Sequence, residues 1–246
     1  MRMPPLSLVL ALAAATLAAF SIPQIRKPVS RFLSITGPNA GDHADVRLPQ
    51  INAALSAAQP GFLFLTGDSH AELMGGEPLC GLPVVNGGSH GANTRLYAQL
   101  LGDFEFKALP STVVLIVGTN DIFIKNQPME PRNLADNVKR IDTIAKTLSK
   151  ISPRLVMTTL PPIPPETTQI LDTAALEALS QAQKRICEQL PACRFVDPYK
   201  DMREGANFSL ARAGATSDGL HIADYGKVRR VLEEAVCPAS VVTSRP

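Results

Sequence analysis

The sequence predicts an α/β domain, a parallel sheet sandwiched by helices, on three observations. Short apolar runs recur at 62–65, 83–85, 113–117, 155–157 and 195–196. Stretches with helical periodicity lie between or after them, so strand and helix alternate along the chain. The run "VVLIV" at 113–117 has no polar face, which suits a strand covered on both sides by crossover helices.

Taken in order, the chain opens with an uncharged apolar stretch, "PLSLVLALAAATLAAFSI" at 5–22, after Arg2 and before Arg26, Lys27 and Arg31. This reads as an export segment over 1–27, either a cleaved signal peptide or a retained membrane anchor. Both place the domain outside the cytosol. A linker and helix are expected over 28–59, because Leu48, Ile51 and Leu55 recur at helical spacing before the stop at Pro60. The domain is expected to span 60–238, with a short tail at 239–246. Within it, helices are expected around Leu134, Val138, Ile141, Ala145 and Leu148; around Leu176, Leu179, Ile186 and Leu190; and around Tyr225, Val228, Leu232 and Ala235. The stretch "TTLPPIPPETTQ" at 158–169 carries four prolines and is expected to be a stiff loop beside a ligand pocket.

A net charge of +2 gives no basic field, so nucleic acid is set aside as a partner; few aromatic residues and no Trp agree. The four cysteines form no C-x-x-C pair, which points away from a zinc knuckle or thioredoxin-type motif. In an oxidising compartment they are expected as disulfides. Cys187 with Cys193 and Cys80 with Cys237 is one of three connectivities, and buried free thiols are the alternative.

Polar clusters follow three of the apolar runs: "GDSH" at 67–70, "NGGSHGAN" at 86–93 and "GTND" at 118–121. Parallel strands bring such clusters to one sheet edge, where ligands bind in open α/β sheets. A fourth, "SDGLH" at 217–221, precedes the last helix and sets Asp218 three residues before His221, close enough for a carboxylate to orient an imidazole. Acyl transfer needs a nucleophile, a base, a group to orient the base, and donors for the oxyanion. Ser69, His221 and Asp218 fit the first three roles, and glycine amides near 91 with the Asn120 amide fit the fourth. Each residue also has a plainer reading: Ser69 and Asn120 as turn residues, His221 as a surface or capping histidine. Asp68 reads as a structural turn residue, His90 as a candidate pocket residue and His43 as part of a loop.

At these residues the chain resembles the SGNH hydrolase family, the GDSL esterases and lipases. "GDSH", "VVNGGSHGANT", "VLIVGTND" and "DGLHIADYGKVR" are similar to its successive blocks, in the same order. The resemblance implies a three-layer α/β/α sandwich with a five-stranded parallel sheet of flavodoxin-like type. It also implies Ser69 as nucleophile, Asp218 and His221 as its partners, and an oxyanion hole from Ser69, Gly91 and Asn120. The implied activity is hydrolysis of carboxylic esters without metal or cofactor, on small-molecule, lipid or glycan esters. Two positions depart from the family pattern: His70 stands where an apolar residue is usual, and Ala92 where an acid is common. His70 is therefore expected to line the substrate pocket with His90 and to influence which ester is taken. A binuclear metallophosphoesterase using the D-x-H of Asp68 and His70, and a non-catalytic binding module on the same fold, are the competing readings. That metalloenzyme's later histidine-rich blocks are missing, and the chain has four histidines in all.

Overall fold

The computed structural model describes residues 39–237; the expected export segment, the linker up to residue 38 and the tail beyond 237 lie outside the described residues. Five strands form one all-parallel sheet: β1 (Leu63–Gly67), β2 (Val84–Gly88), β3 (Thr112–Ile116), β4 (Leu155–Thr158) and β5 (Cys193–Val196), in the spatial order β2-β1-β3-β4-β5. Among the described residues six α-helices accompany them: α1 (Ala40–Ala57), α2 (Ser69–Leu73), α3 (Thr94–Gly102), α4 (Pro131–Ile151), α5 (Thr173–Glu188) and α6 (Tyr225–Val236).

Strand alternation builds the three layers. Phe64, Val113, Leu115, Leu155 and Met157 point into one core with α1, α3, α4 and α5, while Leu63, Leu65, Val114, Ile116 and Val156 point into the other with α2 and α6. Both faces of β1 and β3 are thus buried, which is why their sequences are continuous apolar runs. All three long helices expected from periodicity are present, and so is α1, which buries Ile51 and Leu55 in the same core as the sheet.

Two short helices were not foreseen. Asn93 caps α3 by accepting the Leu96 N–H, and Asp68 caps α2 by accepting the His70 N–H. Each starts inside a polar cluster, where turn-forming composition hides the onset of a helix.

The proline-rich stretch is a loop, as expected, but its first half packs inward. Residues 158–164 are buried, and Ile163 is bridged to the 209–211 segment by Ile163 N–H to Ser209 O at 2.9 Å and Ala211 N–H to Ile163 O at 2.8 Å. That half is a packed internal strut, because Ile163 finds backbone partners in the segment that follows β5, while 165–169 are exposed or half-buried.

Both disulfides form with the expected pairing, Cys80–Cys237 and Cys187–Cys193. Among the described residues, no helix is long and apolar enough to cross a membrane.

Candidate active site

Strand order reverses direction at β1, since β2 lies on one side of it and β3 on the other. Ligands of open α/β sheets bind in the crevice at this switch point. The clusters after β1, β2 and β3 meet there and are laced together: Asp68 N–H donates to Ile116 O at 2.8 Å, and Ser89 N–H donates to Gly67 O at 3.0 Å.

Gly67 is required by that closeness. Its φ is +137°, and a Cβ there would lie 1.7 Å from Ile116 O, so no other residue fits at the end of β1.

Asp68 is fully buried. One carboxylate oxygen accepts the His70 N–H at 3.0 Å and the other the Thr119 N–H at 3.2 Å, joining the start of α2 to the turn after β3. Burial raises its carboxyl to about 6 despite these donors, and Asp121 is raised to about 6 by the same cause. Asp68 is the turn-holding residue expected.

Ser69 opens α2, and its Oγ lies 2.9 Å from His221 Nε2. His221 Nδ1 lies 2.7 Å from Asp218 Oδ2, while the His221 and Leu220 N–H groups donate to Asp218 Oδ1 at 2.8 and 3.1 Å. What burial Asp218 has works against its charge, but the His221 ring and these amides outweigh it and hold the carboxyl at about 2. The loop carrying both residues is closed by Ser217 N–H to His221 O and Ala223 N–H to Ala215 O. A hydroxyl, an imidazole and an ionised carboxylate so aligned can pass the serine proton to the ring and stabilise the resulting cation.

Gly91 follows β2 with φ +71°, and its missing side chain lets Ala40 of α1 approach: a Cβ would lie 2.8 Å from the Ala40 Cβ. Asn120 Nδ2 donates to Ala92 O at 3.1 Å, so one of its two amide hydrogens fixes the side chain beside the Gly91 segment. The structure therefore gathers Ser69, His221, Asp218, Gly91 and Asn120 at one sheet edge.

His70 is placed otherwise than expected. It is fully buried rather than lining a pocket, its ring centroid 5.5 Å from that of His221 and its Nδ1 2.9 Å from the Tyr225 hydroxyl. The reason is α2, which turns consecutive residues through a helical angle, so Ser69 faces the crevice and His70 faces α6. Burial, helped by nearby His221, lowers its imidazole to about 3 and keeps the ring neutral. Among the described residues, Asp68 and His70 belong to no group of three or more ligating side chains with atoms close enough to share an ion, so the D-x-H metal site of the competing reading does not assemble. His43, expected in a loop, lies in α1 and meets His90 at Glu72, a residue that none of the sequence motifs singles out. Glu72 sits three residues after Ser69, on the next turn of α2; that spacing was the available signal.

A sandwich of this order with a hydroxyl, an imidazole and a carboxylate in line at its switch point has the parts that ester hydrolysis needs. The family model for the GDSL-like Lipase/Acylhydrolase family matches residues 35–227, and the chain belongs to that family. Solved structures share the fold. A Streptococcus pneumonia protein provisionally described as a platelet activating factor is 19% identical, with a TM-score of 0.68 over 87% of this chain and 99% of its own. A GDSL-like lipase from Bacteroides thetaiotaomicron is 18% identical, with a TM-score of 0.56 over 81% of this chain and 98% of its own. The lipase/acylhydrolase from Enterococcus faecalis is 18% identical, with a TM-score of 0.52 over 72% and 95%. No curated protein matches the sequence at a significant level.

Proposed function

We propose that the chain is an exported serine esterase that hydrolyses acyl or acetyl esters of lipids or carbohydrates through an acyl-enzyme. The observation that carries this reading is the unbroken hydrogen-bonded line from Ser69 Oγ through the His221 ring to Asp218. Ser69 Oγ attacks the ester carbonyl carbon as His221 Nε2 takes its proton. The Ser69 and Gly91 N–H groups and the free Asn120 amide hydrogen receive the developing oxyanion. His221 then returns the proton to the leaving alkoxide. Water, deprotonated by the same ring, attacks the acyl-enzyme and frees the acid and Ser69. Asp218 holds the imidazole tautomer and stabilises its charge throughout. None of these steps calls for a metal or cofactor.

Export rests on the apolar segment at 5–22 and is supported by two disulfides, which persist in oxidising compartments. The test is turnover of aryl esters of increasing acyl length and of an acetylated sugar. Ser69→Ala and His221→Ala are expected to lower kcat by about 10⁴-fold or more. Undiminished turnover in Ser69→Ala would sink the serine mechanism, and a folded chain that turns over no ester would promote the binding-module reading. Fractionation of the expressing cell, with the N-terminus sequenced, tests export and separates signal from anchor.

A further inference from the structure

Outside the serine, imidazole and carboxylate line, a second group of ligating side chains converges from three segments: His43 of α1, Glu72 of α2 and His90 of the loop after β2. One ligand atom from each lies within 4.8 Å of the others, and among the described residues this is the only His, Cys, Asp and Glu group so arranged.

His43 Nε2 lies 3.0 Å and His90 Nδ1 2.7 Å from the same oxygen, Glu72 Oε2. That oxygen also accepts the His90 N–H at 2.7 Å, which fixes the loop against the carboxylate. His90 Nδ1 is a buried ring nitrogen whose near polar neighbour is that same Glu72 oxygen, so it is held at the centre of the group. Arg47, with Nε 3.6 Å from Glu72 Oε1 and its guanidinium donating to Gly88 O and Asn86 O, braces the carboxylate from the other side.

We propose that His43, Glu72 and His90 form a site for a divalent transition cation of the zinc class, beside the ester-cleaving centre. Two imidazoles and a carboxylate are a donor set that zinc takes, with a fourth position left for water or an anionic group of a ligand. Zinc bonds of about 2.0–2.2 Å set ligand atoms about 3.4 Å apart in a tetrahedron, so binding spreads the present contacts by about half an ångström. Side chains that are 33% exposed at His43 and 37% at His90 can make that movement and admit the ion. The arm that bears Ser69 also bears Glu72, and the His90 ring centroid lies 5.7 Å from that of His221, so the ion sits next to the crevice.

The experiment uses the full chain carrying Ser69→Ala, stripped with chelator and titrated with zinc chloride in a calorimeter, with cobalt absorption as a second probe. One equivalent per chain is expected. His43→Ala, His90→Ala and Glu72→Gln should each weaken binding at least about tenfold, and His221→Ala should leave it unchanged. Zinc should also raise the Tm of the parent and not of His43→Ala. If Glu72→Gln fails to fold, the two histidine variants decide. The proposal falls if zinc does not bind, if the histidine variants bind it as the parent does, or if His221→Ala abolishes binding. The first of these results would mark the cluster as an ion-pair network. Ester turnover plays no part in this readout, so its failure leaves the esterase reading intact.

Discussion

Asn120 holds two hydrogens on one nitrogen, and the structure commits only one, to Ala92 O. In the proposed mechanism the other meets the oxyanion, so Asn120→Ala should lower kcat by about 10²–10³-fold with little change in KM. Steady-state kinetics on an aryl acetate checks this, and a change confined to KM would remove Asn120 from the oxyanion hole. His70 makes a different statement. It is buried neutral, with the ring lowered from 6.5 to about 3. The unfolded chain takes up the proton near 6.5 and the folded chain does not, so this stability is full above 6.5 and is lost as pH falls toward 3. Asp68 and Asp121 work in the opposite sense between 3.8 and 6, since both are raised. The difference between the parent and His70→Gln isolates the histidine: measured by urea unfolding, the parent should lose about 1.4 kcal/mol per pH unit relative to the variant below 6.5. A pH-independent difference would mean that His70 is not buried neutral.

At the scale of elements, the stretch between β5 and α6 has to deliver Asp218 and His221 with only one turn of 3-10 helix, Lys200–Met202, to stiffen it. Arg203 supplies the stiffness. Its guanidinium, almost wholly buried, donates to Asp197 Oδ1 and Oδ2 at 3.0 and 3.1 Å and to Thr159 Oγ1 at 3.2 Å, and it also bonds Phe208 O and stacks over the Phe208 ring. The end of β4, the end of β5 and the following loop are thereby tied at one point. Arg203→Met keeps the bulk but leaves Asp197 without its cation, and is expected to cost about 2–3 kcal/mol in denaturant unfolding. Asp197 is partly exposed, which places the cost below the roughly 3–5 kcal/mol of a fully buried broken pair. A variant as stable as the parent would show the loop held by packing alone.

For the whole molecule, the larger constraint is Cys80–Cys237, which spans 157 residues and ties the end of α6 to the segment between α2 and β2. Chain entropy alone assigns such a closure about 5 kcal/mol, against about 2 kcal/mol for Cys187–Cys193, whose cysteines are separated by 6. The double variant Cys80→Ser with Cys237→Ser should therefore lose more Tm than Cys187→Ser with Cys193→Ser, as followed by circular dichroism. The reverse order would show that enthalpy, not loop length, governs these bonds.

Much of this was legible in the chain. Periodicity located β1 to β5 and the four longer helices because burial on both faces of a strand, or one face of a helix, leaves an arithmetic trace in the sequence. The polar clusters after β1, β2 and β3 were readable as one edge because parallel strands all end on the same side. The tertiary structure alone decided which way each side chain of those clusters points. Adjacent residues of α2 diverge, so Ser69 reaches the crevice while His70 is buried against Tyr225, and Glu72 returns on the next turn to meet His43 and His90. The first half of the proline loop is a buried strut for the same kind of reason, since the partners of Ile163 are about 45 residues away at 209–211. Sequence records the local demand of each position for burial or polarity; which distant group satisfies it depends on contacts that exist only once the sheet has formed.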